Sequence, residues 1–157
     1  MTDIRNVALS LPVAFALHVA EEAPFFVTWI NGRVTPQISQ RSLLTVNAIA
    51  FGVTVALALS LVVSRERVAG LVGVAWIGFL MLANGLFHLV ATIADGRYCP
   101  GVITGVLLYL PLSLLFFRSV ARDAHVPATA VAIAALAGAV PMALHGFLIV
   151  FRGSRLF

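Results

Sequence analysis

An all-α bundle of about five membrane-spanning helices is the fold class this sequence predicts, on three observations. Hydrophobic residues make up 61% of the 157 residues and charged ones only 10%, outside the usual range of soluble domains. Several apolar runs approach or exceed the roughly 20 residues with which a helix crosses a ~30 Å hydrocarbon core. Only short polar turns separate these runs, so residues 1–157 read as one transmembrane domain.

The first span, near 7–30, runs from Val7 to Ile30 and stops at Asn31-Gly32. Its apolar run continues past Glu22, too far for a signal-peptide core, and no small-residue cleavage site follows, so a retained helix is expected. After a polar loop, the second span is expected near 43–63 and Ser64-Arg65-Glu66-Arg67 forms the next turn. The third, near 68–94, ends at Asp95-Gly96-Arg97. A fourth, near 101–117, opens after Pro100-Gly101, and the fifth, near 128–151, closes before Arg152. Gly101-x-x-x-Gly105 and Ala134-x-x-x-Gly138 have the small-residue spacing that lets helices approach closely, so both read as packing signals.

Charge narrows the function classes. All ten basic residues are arginines and the net charge is +4, but arginines at helix ends meet lipid phosphates, so a nucleic-acid partner is not expected. The single cysteine, Cys99, excludes an internal disulfide. Arg5, Arg65, Arg67, Arg118 and Arg122 fall on one side of the predicted bundle, and Arg33, Arg41, Arg97, Arg152 and Arg155 on the other. This tie gives the positive-inside rule nothing to act on, and a multi-pass cell-membrane location carries no orientation with it.

Against this apolar background stands Leu17-His18-Val19-Ala20-Glu21-Glu22. A carboxylate near mid-bilayer costs roughly 2.5–3.5 kcal/mol on insertion scales, and here two are adjacent. At helical spacing Glu21 and Glu22 both flank His18, about 100° apart around the axis. The third span carries Asn84-x-x-x-His88, in which Asn84 could orient the His88 ring as an outer-shell partner. The fifth carries Pro141-x-x-x-His145, and Pro24 and Pro141 each free a carbonyl one turn earlier. His88 and His145 lie about 9 Å before their predicted helix ends and Glu22 about 12 Å before its own. Asn47 and the Asp95–Gly101 loop fall at the same level, so a cavity opening toward that side is expected.

His18-x-x-Glu21-Glu22, Asn84-x-x-x-His88 and Tyr98-x-Pro100-Gly101 resemble, in order and internal spacing, the three signature motifs of the HXXEE family of small integral membrane proteins. The resemblance spans roughly the first two-thirds of the chain. It implies a multi-span membrane protein suspected of being an enzyme, and it carries no substrate with it. His145 lies outside these motifs.

Three classes of function fit the residues. A metal enzyme would draw its ligands from His18, Glu22, His88 and His145, with Glu21 as base and a divalent ion, zinc or iron, as cofactor. Catalytic zinc takes three protein ligands and an open position. The HExxH pattern is absent, and a ferritin-like di-iron site needs more glutamates than the chain supplies. A metal-free isomerase or cyclase of isoprenoid- or sterol-like molecules would instead use Glu21 and Glu22 as acid and base, with His88 returning the proton. A proton- or ion-coupled transporter is the third class, although no polar pathway continues to the opposite side. Tyr98 is either catalytic or an interfacial anchor, and His145 either a ligand or the partner of a freed carbonyl. The expectation is a membrane-embedded enzyme acting on a lipid-soluble or amphiphilic substrate, with the metal site ahead of metal-free chemistry.

Overall fold

The computed structural model describes residues 3–64 and 66–156; Arg65, counted among the arginines above, lies outside them. The described residues form six helices and no strand: α1 (Ile4–Glu22), α2 (Phe26–Asn31), α3 (Gln40–Val63), α4 (Arg67–Asp95), α5 (Val102–Asp123) and α6 (Ala128–Arg152). The chain is an all-α bundle, and α3, α4, α5 and α6 are each long and apolar enough to cross a membrane.

The predicted first span is broken rather than continuous. Pro24 has no amide to continue the ladder, Phe25 turns back to donate to the Glu22 carbonyl at 3.1 Å, and the helix restarts at Phe26. The break leaves Glu21 and Glu22 at a helix end, where side chains can reach neighbouring elements. Asp3 caps the other end of α1 by accepting from the Arg5 amide at 3.1 Å, which satisfies one of the donors a helix N-terminus leaves open.

Helix α5 extends beyond its predicted end through Arg118 and Arg122 to Asp123. Its last turns stay helical because Phe116 and Val120 are fully buried and Asp123 accepts from the Ile4 amide at 2.9 Å. The expected packing glycine of α6 is confirmed at one crossing. A Cβ on Gly138 would stand 1.9 Å from the Ala75 carbonyl oxygen, so α4 and α6 touch backbone to backbone, a contact only glycine permits.

Two helical segments are wound more widely than their surroundings. Gly78–Ala83 within α4 and Gly105–Tyr109 within α5 are π-helical. Such turns rotate the residues beyond them and are common beside functional sites. The first sets the register of Asn84 and His88; the second carries Tyr109 inward. One apolar core lies between α1, α3, α4, α5 and α6 around Phe15, Leu61, Met81 and Phe116. A second lies beneath the Asp95–Gly101 turn around Phe26, Phe87 and Ile149. The polar site sits between the two.

Candidate metal centre

His18, Glu22 and His88 come from the last turns of α1 and the closing third of α4, and they meet in the interior with exposures of 1%, 5% and 0%. Glu22 Oε1 lies 3.5 Å from His18 Nε2 and 3.1 Å from His88 Nε2. One potential ligand atom from each residue falls within 4.8 Å of the other two. No such arrangement survives by accident in an apolar interior, because a buried carboxylate without compensation is strongly destabilising.

Hydrogen bonds fix which nitrogens carry protons. The Thr104 hydroxyl donates to Glu21 Oε2 at 2.5 Å. With its one hydrogen committed there, Thr104 Oγ1 can only accept at its 2.8 Å contact with His18 Nδ1. His18 therefore carries its proton on Nδ1 and turns a bare Nε2 toward Glu22. That lone pair also receives the Asn84 amide at 3.2 Å. For His88, the Cys99 thiol donates to the Pro100 carbonyl at 3.8 Å and its sulfur stands 3.3 Å from His88 Nδ1. The sulfur is thus the acceptor, and His88 also turns a bare Nε2 inward. Despite its 3.1 Å distance from Glu22, His88 Nε2 has no hydrogen bond of acceptable geometry. His18 Nε2, Glu22 Oε1 and His88 Nε2 thus face one another in one buried cluster.

A cation is what such a set accommodates. Ligand atoms about 2.0–2.2 Å from a tetrahedral zinc ion lie about 3.4 Å from one another. The two measured separations, 3.1 and 3.5 Å, bracket that edge. The His18–Glu22–His88 cluster could therefore hold a metal ion.

The walls of the centre are apolar and close. The Tyr109 ring lies 4.2 Å from the His18 ring between centroids, Phe26 lies 5.7 Å and Phe87 4.8 Å from His88. Gly101, with φ of +100°, closes the remaining side. A Cβ there would stand 2.7 Å from His88 Cε1 and 2.8 Å from His18 Cε1, so both the backbone angle and the two imidazoles require glycine.

Glu21 and Glu22, adjacent in sequence, point to different surroundings. Glu21 accepts from the amides of Gly101, Ile103 and Thr104 at 3.1, 3.1 and 2.8 Å, from Thr104 Oγ1, and from the Tyr98 hydroxyl at 2.6 Å. Its carboxylate caps the first turn of α5, where a helix presents unsatisfied amides and positive dipole. It reaches His18 only through Thr104. Tyr98 is half exposed, and burial, then its bond to Glu21, pushes its pKa up to about 12, which makes it a poor acid near neutrality.

Asn84 meets His18 rather than His88, contrary to what its one-turn spacing suggests. Asn84 and His88 share one α-helical stretch, Asn84–Asp95, but His88 Nδ1 is already occupied by Cys99 Sγ at 3.3 Å, while His18 Nε2 stands within reach across the interface. His145 is not in the cluster that His18, Glu22 and His88 form among the described residues. Its Nδ1 accepts from the Leu156 amide at 3.2 Å, and it lines a cavity that Glu22 and Asn84 also line. His125 lies in the exposed turn after α5, as its surroundings suggest. Thr104, Cys99 and Tyr109 escaped sequence reasoning. Only Thr104 had a weak signal, as a lone hydroxyl one turn after Pro100-Gly101.

The expected cavity opens beside the centre. Its volume is about 230 Å³, and Glu22 and Asn84 form part of its wall, with Phe26, Leu43, Phe79 and Met142 supplying apolar surface from α2, α3, α4 and α6. Neither the curated proteins nor the solved structures contain a match to this chain. A family profile described as "Protein of unknown function with HXXEE motif" matches residues 9–116. That stretch holds all three ligand candidates together with Asn84, Tyr98, Gly101 and Thr104, and the chain belongs to the HXXEE-motif family.

Proposed function

We propose that the chain is a single-domain, multi-pass protein of the cell membrane and a metal-dependent enzyme acting on a lipid-soluble or amphiphilic substrate. The observation that carries this reading is the convergence of His18 Nε2, Glu22 Oε1 and His88 Nε2, each with a lone pair toward a common point and His88 Nε2 without a hydrogen bond. These three residues would hold the ion, with zinc or iron the metals their donor types suit. When bound, the ion supplies Lewis-acid polarisation of a substrate oxygen.

The other residues prepare the ligands. Glu21, through Thr104, keeps the proton of His18 on Nδ1, the role that outer-shell carboxylates serve for liganding histidines. Cys99 accepts the corresponding proton of His88. Burial and the nearby Glu22 push the Cys99 thiol up to about 12, which keeps it neutral beside the metal site. Asn84 donates to His18 Nε2; with that lone pair given to a bound ion, its amide would be free to donate into the cavity. Tyr109, Phe26 and Phe87 exclude water and raise the strength of every charge interaction in the centre.

A second reading has one observation in its favour. The 3.1 Å gap between His88 Nε2 and Glu22 is also short enough for a shared proton, which would suit acid/base isomerisation without a metal. Metal analysis of the protein purified without chelators separates the two. The metal reading predicts about one zinc or iron per chain, as a three-ligand catalytic site holds, and its loss in His18→Ala. Equal, negligible metal in both would favour proton transfer.

A further inference from the structure

We infer that the cavity beside the centre binds the anionic head of a single-chain amphiphile, held by Arg155. The inference rests on the proposed enzymatic reading and specifies the chemistry of its substrate.

The cavity has two charged residues in its wall, at separate stations: Glu22 from the end of α1 and Arg155 from the segment after α6. Most of the remaining wall is apolar, from Leu43, Val46, Phe79 and Met142 among others, with Ser42, Asn47, Asn84 and His145 as its other polar residues. A ligand with an apolar body and an anionic end fits only one way round, with its charge away from the Glu22 carboxylate and at the arginine.

The arginine end is built rather than trailing. Gly153, at φ +62°, terminates α6, and Ser154 donates back to the Leu148 carbonyl at 3.2 Å. Arg155 lines the cavity, and the next residue, Leu156, donates its amide to His145 Nδ1 at 3.2 Å. The acidic side chains of the bundle are committed elsewhere. Glu21 is saturated by the α5 terminus, Glu22 faces the histidines, Asp95 pairs with Arg33, and Asp123 with Arg122. Arg155 has no carboxylate partner among the described residues, half-buried at the rim of an apolar cavity. Arginine donates in a planar fork that matches both carboxylate and phosphate, and basic pockets between membrane helices collect such heads.

The probes are three molecules with one chain and different heads: oleate, oleyl phosphate and oleyl alcohol. Their binding to the full-length protein in neutral-detergent micelles is measured by equilibrium dialysis, with metal content read on the same samples. Wild type should bind one or both anions at least tenfold more tightly than the alcohol, the scale of one charge-assisted contact. The better anion identifies the head as carboxylate or phosphate. Arg155→Gln should lose the preference, Arg155→Lys should keep part of it, and His18→Ala should retain it in full. Equal binding of all three probes to wild type overturns the inference, as does a preference that survives in Arg155→Gln. A preference lost in His18→Ala but kept in Arg155→Gln would place the anion on the metal and overturn it equally. Failure of the enzyme reading shows separately, as absence of metal in a wild type that still selects anions.

Discussion

Thr104→Val removes one hydroxyl while keeping the shape of the side chain, and it breaks two contacts at once. Glu21 loses its 2.5 Å bond and the His18 Nδ1–H loses its acceptor. A hydrogen bond to a charged group contributes about 1.5–3 kcal/mol, and a buried donor left unpaired costs about 1–3 kcal/mol. Glu21 is only half-buried, and its other four donors remain, so the first loss falls at the low end. The imidazole can escape the second by moving its proton to Nε2, where Glu22 Oε1 stands 3.5 Å away. The expected net destabilisation is therefore ~2 kcal/mol, or a Tm lowered by about 4–8 °C for a chain of this size. That proton shift fills the lone pair the metal needs. Zinc affinity should fall about 10–100-fold, as when an outer-shell partner of a liganding histidine is removed. Competition with a chelating dye measures the affinity and detergent-phase thermal unfolding the stability, with Thr104→Ser expected to restore both. A folded Thr104→Val protein that binds zinc as tightly as wild type would refute the proton assignment of His18.

Further perturbations separate the two glutamates and test the walls. Glu22→Gln should abolish metal binding while the bundle stays folded, checked by metal analysis beside circular dichroism. Glu21→Gln should act first on stability, because an amide nitrogen on either side confronts donors of the α5 terminus; a Tm drop of several degrees is expected, and an unchanged Tm would contradict the capping role. Gly101→Ala should displace both imidazoles and lose metal, read by the same titration. The Cys99 pKa, raised from 9.0 to about 12, favours the neutral thiol in the folded state, so this contribution to stability is complete below pH 9 and is lost as pH rises toward 12. Native protein should accordingly resist maleimide at pH 8 and label once unfolded; full labelling of folded protein would show an accessible thiolate.

The four long apolar helices and the meeting of His18 with His88 were legible because the bilayer leaves few options: apolar length announces a span, and polar residues within spans at one depth seek each other. Asn84 shows where depth is insufficient. Its level was right, but its partner was set across the interface: His18 from α1 comes within 3.2 Å, and the turn before α5 brings Cys99 to the His88 nitrogen that Asn84 was expected to hold. The divergence of Glu21 from Glu22 was half legible. Helical spacing showed that two adjacent carboxylates cannot serve one point equally. It could not show that Pro24 ends α1 beside the open amides of α5, which claim Glu21 as a cap. Cys99 and Thr104 became partners of the histidines only through the turn between α4 and α5, whose path depends on tertiary packing.

X-ray absorption at the metal edge tests the ligand set most directly. The account predicts, for protein loaded with one equivalent of zinc, a shell of nitrogen and oxygen at about 2.0–2.2 Å with the outer scattering of two imidazoles, reduced to one imidazole in His88→Ala. Sulfur at about 2.3 Å, which would bring Cys99 into the shell, or a spectrum without imidazole scattering, would contradict a centre made by His18, Glu22 and His88.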